Sequence, residues 1–417
     1  MSLENQPAIH VVGTGLNPST LPPGMTRIVE AAEVLFGGER VLQAFEEHPA
    51  RKIAIRAPVS ETVEAVQRES AAGRQVVILA DGDPGYFGIG RRLVRDLGPG
   101  RVHVHPNVTV LQVAASRLKT TWEDVRTVSL HGRNDLWPLR RALSLVDRVG
   151  VYTDSVFDPA RVAHELVGMG VTGYRMHVFE DLELETERVR TFDDPASAMD
   201  QLFSPLAFLL LERTQSPSFP RVLGLDDDLF EHDRGMITKR EVRAVGLSLL
   251  GIQRRDTVWD LGAGSGAVAV EASALAYEGR VYAVERDGER IARIRRNVQH
   301  TGAYVVEPVH GDMPACLEGL PDPDRIFAGG GAGEPGVLET AMARLRPGGR
   351  IVVHVVLLGS LEKTRRALEI AGWSPTVTQI QVNRSNPLAR DLRFEPLNPV
   401  FALCAEKPEA KTAESSE

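Results

Sequence analysis

Cysteine is almost absent: Cys316 and Cys404 are the only two in 417 residues. With no CxxC pair and no His-Cys cluster, neither a disulfide framework nor a structural zinc site is expected, and no metal is assigned. A reducing cytoplasm suits such a chain. Long hydrophobic runs are missing as well: nowhere do about 20 apolar residues follow one another, so no membrane span is predicted. Residues Met1 to His10 lack the basic-then-apolar order of a secretory signal. Cations do not exceed anions, with 48 Lys and Arg against 56 Asp and Glu and a formal charge of −8. No global field therefore exists to attract a nucleic-acid backbone, and the longest basic clusters are brief, such as Arg293-Ile294-Arg295-Arg296. Aromatics are scarce at 6%, yet 43% hydrophobic and 25% charged residues are ordinary globular values. At roughly 150 residues per domain, two or three domains are expected.

What is present is alternation. Short β-rich runs alternate with amphipathic helical stretches, which predicts α/β layers with mostly parallel strands. In the first half, strands are predicted at Ile9 to Val12, Val76 to Ala80, Val102 to His105, Val149 to Thr153, Tyr174 to Phe179 and Leu206 to Leu211. Helices Ser60 to Ala72 and Pro159 to Gly168 lie between them. The run ERTQSPSFPRVLGL from Glu212 to Leu225 breaks any regular period. The expected division is thus a domain over 8–213, a linker over 214–224, a second domain over 225–406 and a disordered tail over 407–417. In the second half the predicted strands include Asp256 to Leu261, Val281 to Glu285, Tyr304 to Pro308, Arg325 to Ala328, Arg350 to Val356, Thr376 to Val382 and Val400 to Ala405.

The sharpest local signal is Val258-Trp259-Asp260-Leu261-Gly262-Ala263-Gly264-Ser265-Gly266, a strand running into a G-x-G-x-G bend that opens a helix. Glycines there let backbone approach a ligand, and a helix N-terminus presents free N–H groups. About 20 residues on, a second strand ends in Glu285, where a carboxylate can accept both ribose hydroxyls. A glycine loop followed by a distal acid predicts a nucleoside cofactor. A dinucleotide site usually reads G-x-G-x-x-G, so the spacing here resembles instead the first motif of class I S-adenosylmethionine-dependent methyltransferases. Gly262, Gly264, Ser265, Gly266 and Glu285 are then cofactor contacts, and Asp312 and Met313 stand where that family meets the adenine.

Met236 to Ala244, Leu320-Pro321-Asp322-Pro323-Asp324 with Gly329-Gly330-Gly331, and Leu345 to Arg350 further resemble the decarboxylating precorrin methyltransferases of cobalamin biosynthesis. That resemblance covers nearly all of Leu223 to Glu406 and adds Thr238 as a cofactor contact. Lys239 and Arg243 read either as part of that closing segment or as solvated helix charges. His354, where the family is expected to carry a small polar residue, reads as a partnered structural histidine.

Gly13-Thr14-Gly15-Leu16-Asn17-Pro18 resembles the opening motif of the tetrapyrrole methylases. Ala80-Asp81-Gly82-Asp83-Pro84-Gly85-Tyr86-Phe87-Gly88 resembles their G-D-P loop, and Pro106-Asn107-Val108-Thr109-Val110 follows it. The match covers about Ala8 to Arg213. It implies a two-lobed domain with S-adenosylmethionine folded against Gly13, Gly15, Asp83, Tyr86, Thr109 and Val110. Asp83 reads equally as a helix cap, and His131 and Arg133 as substrate-carboxylate contacts or as ordinary loop.

The expected fold is therefore α/β throughout, a two-lobed tetrapyrrole methylase domain followed by a Rossmann-like class I methyltransferase domain. Together the resemblances imply a bifunctional cobalamin-pathway enzyme with one S-adenosylmethionine per domain. It would methylate carbons 5 and 15 of a precorrin tetrapyrrole and remove the ring C acetate carboxylate. They also imply a cytoplasmic homo-oligomer without nucleic-acid or membrane partners. The catalytic acid or base is not identifiable. The readings kept open beside this one are a methylase of another tetrapyrrole or small molecule, a nicotinamide oxidoreductase using Gly262 to Gly266, and a non-catalytic regulatory or RNA-associated module.

Overall fold

The computed structural model describes residues 7–409 apart from 133 and 234; Arg133 and the tail beyond residue 409 thus lie outside the described residues. Five strands come first: β1 (Ile9–Gly13), β2 (Val34–Gly37), β3 (Arg51–Ala54), β4 (Val76–Ala80) and β5 (Val102–His105). They form one sheet in the order β3-β2-β4-β1-β5, with every pair parallel. The central β4 is the all-apolar run Val76-Val77-Ile78-Leu79-Ala80, buried at every position, as a parallel strand covered on both faces must be.

The second lobe contains β6 (Arg126–Ser129), β7 (Arg148–Tyr152), β8 (Tyr174–Glu180), β9 (Arg188–Phe192) and β10 (Ala207–Arg213), ordered β6-β7-β10-β8-β9. Here the expectation of mostly parallel strands fails: only β6 and β7 run parallel, and β10 pairs antiparallel with both β7 and β8. A parallel neighbour needs a helical crossover of a dozen or more residues. The chain makes one between β6 and β7 through the helix Trp137–Leu145, whereas β8 and β9 are joined by a short turn.

The stretch just beyond residue 213, where a linker is expected, is packed against both halves. Thr214 N donates to Gly173 O at 2.7 Å, Ser218 N donates to His300 O at 2.7 Å, and Phe219 is buried against Phe230. The third sheet comprises β11 (Thr257–Leu261), β12 (Arg280–Glu285), β13 (Val306–His310), β14 (Arg325–Ala328), β15 (Arg350–Val355), β16 (Thr376–Ile380) and β19 (Val400–Glu406). Its order is β13-β12-β11-β14-β15-β19-β16, parallel except for β19, which runs against β15 and β16. A two-stranded hairpin, β17 (Asn383–Leu388) with β18 (Asp391–Pro396), stands outside it and was not predicted. Its alternation exposes Leu388, Leu392 and Phe394, so no core-facing stripe marks it in the sequence. Order also continues past Glu406: Lys407 N donates to Gly349 O at 2.8 Å, and its ammonium donates to the carbonyls of Met342, Ala343 and Leu345.

Between β13 and β14 the connection carries only a 3-10 turn, Ala315–Leu317. The neighbouring face of β12 is met from the first half of the chain instead. Trp137, 6% exposed, packs edge-on against Tyr282 with ring centroids 5.8 Å apart. The guanidinium groups of Arg140 and Arg280 lie 5.3 and 4.7 Å from the Trp137 ring. Asp135 accepts from Arg280 at 3.2 Å, and the Ser144 hydroxyl accepts from Val305 N at 3.1 Å.

Candidate active sites

In the third sheet, β11 ends at Leu261 and the chain turns through Gly262, Gly264 and Gly266, all with positive φ, into the helix Ala267–Leu275. Each glycine answers a different demand. A Cβ on Gly262 would strike Gly330 O at 2.3 Å, one on Gly266 would press on Ile294 at 3.0 Å, and one on Gly264 would meet nothing. The open space over Gly264 is where a ligand can lie on bare backbone. Glu285, at the end of β12 and 4% exposed, accepts from Gly264 N at 2.9 Å through one oxygen. The other oxygen accepts from Arg286 N and Asp287 N at 3.0 and 3.1 Å. The acid predicted from spacing is thus tied to the glycine loop itself.

Thr238, Gly262, Gly264 and Ser265 line a 180 Å³ pocket, joined by Asp260, Arg290 and Phe327. Asp312 is exposed beyond the end of β13, and Met313 reaches toward Gly331; neither they nor Gly266 and Glu285 form that pocket's wall. Asp260 was not among the predicted contacts. It is 2% exposed, it accepts from Ala269 N at 3.0 Å, and burial raises its carboxyl to about 7, with nearby Glu285 adding to the rise. A cation beside it would favour the ionised form, so the chemistry of this cradle fits a sulfonium nucleoside. The signal was available: Asp260 stands two residues before Gly262 on a strand otherwise apolar over Val258 to Leu261.

A larger cavity of 890 Å³ adjoins the pocket, sharing Ile237, Thr238 and Gly329 with it, and Lys239, Lys363 and Glu339 stand in its wall. Lys239 donates to Gly235 O at 3.1 Å and Lys363 to Gly333 O at 3.2 Å. Arg243 is not a solvated helix charge. It is fully buried, with its guanidinium donating to Glu271 at 2.7 Å, Asp227 at 3.2 Å, Leu225 O at 2.6 Å and also to Thr238 O. That single side chain ties Leu225 to the Thr238 segment. His354 corrects a second expectation: it is 9% exposed, yet neither ring nitrogen has a hydrogen-bond partner among the described residues. It packs edge-on against Phe327 at 4.7 Å, and burial lowers it to about 4, so the imidazole is neutral.

The first half has its own cleft of 670 Å³ between the two lobes. Asp83, Tyr86 and Val110 line it, with Leu16, Arg40, Phe87, His131 and Tyr152. Asp83 does not cap the helix Gly90–Leu97, whose start carries no side-chain cap. It accepts from Gly85 N at 2.7 Å and from Asn107 N at 3.1 Å, holding the G-D-P loop against the following one. Gly13 and Gly15 sit just behind the wall. A Cβ on Gly13 would strike Gly82 O at 2.6 Å, and Gly15 exchanges backbone hydrogen bonds with Gly82. Thr109 caps the helix Val110–Leu118 in a reciprocal box with Gln112, so its hydroxyl is engaged locally. Asn107, unpredicted, donates to Gly13 O at 2.9 Å and completes the junction of the three loops. The Tyr86 hydroxyl meets that of Thr127 across the lobes.

A seven-stranded sheet with one reversed strand, a glycine bend after its first strand and an acid after its second define a class I methyltransferase, here fused to a separate two-lobed α/β unit with its own cleft. Residues 8–193 match the family model of the tetrapyrrole (corrin/porphyrin) methylases, and residues 228–407 match that of the precorrin methyltransferase domain. A precorrin-6Y C(5,15)-methyltransferase (decarboxylating) from Sinorhizobium sp is 35% identical over 404 residues, covering 94% of this chain and 95% of its own. The chain belongs to the precorrin-6Y C(5,15)-methyltransferase (decarboxylating) family. Over 44% of its length the chain is also 41% identical to a probable cobalt-precorrin-6B C(15)-methyltransferase (decarboxylating) from Pyrobaculum calidifontis, covering 95% of that protein. A solved precorrin-6y C5,15-methyltransferase structure from Geobacter metallireducens, 39% identical, covers 44% of this chain and 98% of its own, with a TM-score of 0.43.

Proposed function

We propose that the chain uses S-adenosylmethionine to methylate carbons 5 and 15 of precorrin-6Y and removes the carboxylate of the ring C acetate. The tetrapyrrole methylase domain would comprise residues 8–213, joined by the 214–224 linker to a class I domain over 225–406, each holding one donor molecule. The observation that carries this reading is the pair of separate clefts on one chain. Asp83 braces the loops of the first, and Glu285 holds the open Gly264 backbone of the second. It is supported by the near full-length likeness to the Sinorhizobium relative. In this reading Gly13, Gly15, Asp83, Tyr86, Thr109 and Val110 form the first donor site. Thr238, Gly262, Gly264, Ser265, Gly266, Glu285, Asp312 and Met313 form the second. A cytoplasmic homo-oligomer remains part of the proposal.

The bound donor supplies an electrophilic methyl group. The protein's share is to hold an electron-rich carbon in line with it, which is work of positioning rather than of a protein nucleophile. The first cleft is apolar along Leu16, Phe87, Val110 and Phe208, and its cations are His131 and Arg40, the latter paired with Asp81. In the second, Lys239 and Lys363 stand in the wall of the larger cavity beside the donor pocket. During decarboxylation the bond to the carboxylate breaks, carbon dioxide leaves, and the electron pair passes into the conjugated macrocycle until a proton completes the new methyl group. The division of labour assigns carbon 5 to the first domain, and carbon 15 with carbon dioxide loss to the second.

Incubating the pure protein with precorrin-6Y and labelled S-adenosylmethionine, then weighing the product, tests this directly. Two methyl groups gained and one carbon dioxide lost are expected. Asp83→Ala should abolish one methyl and Glu285→Ala impair the other, and equal loss of both from either change would refute the division of labour.

A further inference from the structure

Phe87 is the third residue after the G-D-P turn, and two of its properties conflict with any role in stability. Its side chain is 56% exposed, so folding buries little of it. Its backbone lies at φ 56°, in the left-handed region that a bulky L-residue avoids. An exposed aromatic in a disfavoured conformation adds little to the fold and carries a backbone cost, and such outliers gather at ligand sites. The ring stands in the wall of the 670 Å³ cleft. It does not stand alone there: its centroid is 5.1 Å from Tyr86 and 5.4 Å from Tyr152, and Tyr152 is 5.2 Å from Phe208. A strip of aromatic rings therefore crosses from the first lobe to the second, with Phe87 as its exposed end. Arg40 and His131 stand in the same wall.

We propose that Phe87 is the platform on which the conjugated face of the tetrapyrrole rests in the first cleft, and that it sets the affinity of that site for its substrate. The inference rests on the function proposed above. A flat, conjugated ring is the chemistry the wall matches, with Phe87 to stack on its face; Arg40, which pairs with Asp81, and His131 are the cations at its edge, and Asp83, Asp154 and Asp181 share the wall with them. Phe87 is a positioning residue and takes no proton or methyl group.

The test is Phe87→Gly in the full-length protein, because glycine accepts the left-handed backbone that phenylalanine resists. The KM for precorrin-6Y in methylation at carbon 5 should rise about tenfold with kcat little changed. The Kd for S-adenosylmethionine should be unaltered, and the Tm equal to that of the wild type or higher. Methylation at carbon 15 and loss of carbon dioxide, measured in the same reaction, should be unaffected, and Phe87→Tyr should restore the KM. An unchanged KM overturns the proposal. So does an equal loss of donor affinity, which would assign the ring to the adenosyl group, or a lowered Tm, which would make it structural. A wild-type protein that transfers no methyl group at all would overturn the functional reading and this proposal with it.

Discussion

Asp260 shows how a single burial can couple proton and ligand. Inside the fold its carboxyl is raised to about 7, chiefly by desolvation. Its folded value lies above its unfolded one, so this group's contribution to stability is full below about pH 4 and is lost as the pH rises through 7. A cationic donor reverses the preference by favouring the carboxylate. Donor affinity at the second site should therefore climb by up to about tenfold per pH unit between pH 6 and 7 and level off above it. Calorimetric titration of the Asp83→Ala protein at several pH values would reveal this, and Asp260→Asn should flatten the profile. A flat wild-type profile would count against the coupling. The turn at the glycines and the strand end at Glu285 were readable because the pattern of neighbouring residues sets both. Asp83 was only half readable. Its identity was visible, but its partner Asn107 N comes from a loop 24 residues away and decides between bracing and capping.

At the scale of elements, charge ties Leu225 and the 3-10 turn Asp227–Leu229 to the helix Arg240–Leu250. Arg243 joins Glu271, Asp227 and two backbone carbonyls in a fully buried cluster. Arg384 of the hairpin extends the network to Asp227 at 3.0 Å and Glu241 at 2.6 Å, holding the Glu241 carboxyl down to about 2. Arg243→Met would leave the buried Glu271 carboxylate without its cation while Asp227 keeps Arg384, an effect of ~3–5 kcal/mol. It should also loosen Thr238 at the donor pocket. Urea unfolding should detect the first consequence and weakened donor binding the second, and the double variant with Glu271→Met should recover part of the stability. Nothing in the local sequence distinguished Arg243 from a solvated helix charge, since its partners lie 16 and 28 residues away. The antiparallel second lobe escaped notice for a related reason. Apolar runs announce strands, but direction depends on which distant strand each one pairs with.

For the molecule as a whole, two domains could be read from the sequence, but not the contact between them. Neither candidate donor cleft crosses that contact: residues lining the first cleft all fall within 16–208, and those lining the second pocket and its neighbouring cavity within 236–400. Chains disabled singly, by Asp83→Ala and by Glu285→Ala, should therefore complement one another when mixed, yielding the doubly methylated, decarboxylated product. A mixture stalled after one methyl group would show that the substrate must be handed over within a single chain. Trp137→Ala should lower stability by ~3–5 kcal/mol, the usual effect of emptying a buried aromatic site. Thermal melts should register that loss in both halves at once, because the ring packs on Tyr282 of the other domain.

The boundary drawn by chain order and the boundary drawn by packing are consequently different surfaces. A gene cut at the linker would not yield two finished proteins. The half released from residue 225 onward would carry Tyr282 bare to water, without the Trp137 ring that shelters it. Such a fragment should clump or melt early, and adding the first half as a separate polypeptide should rescue it.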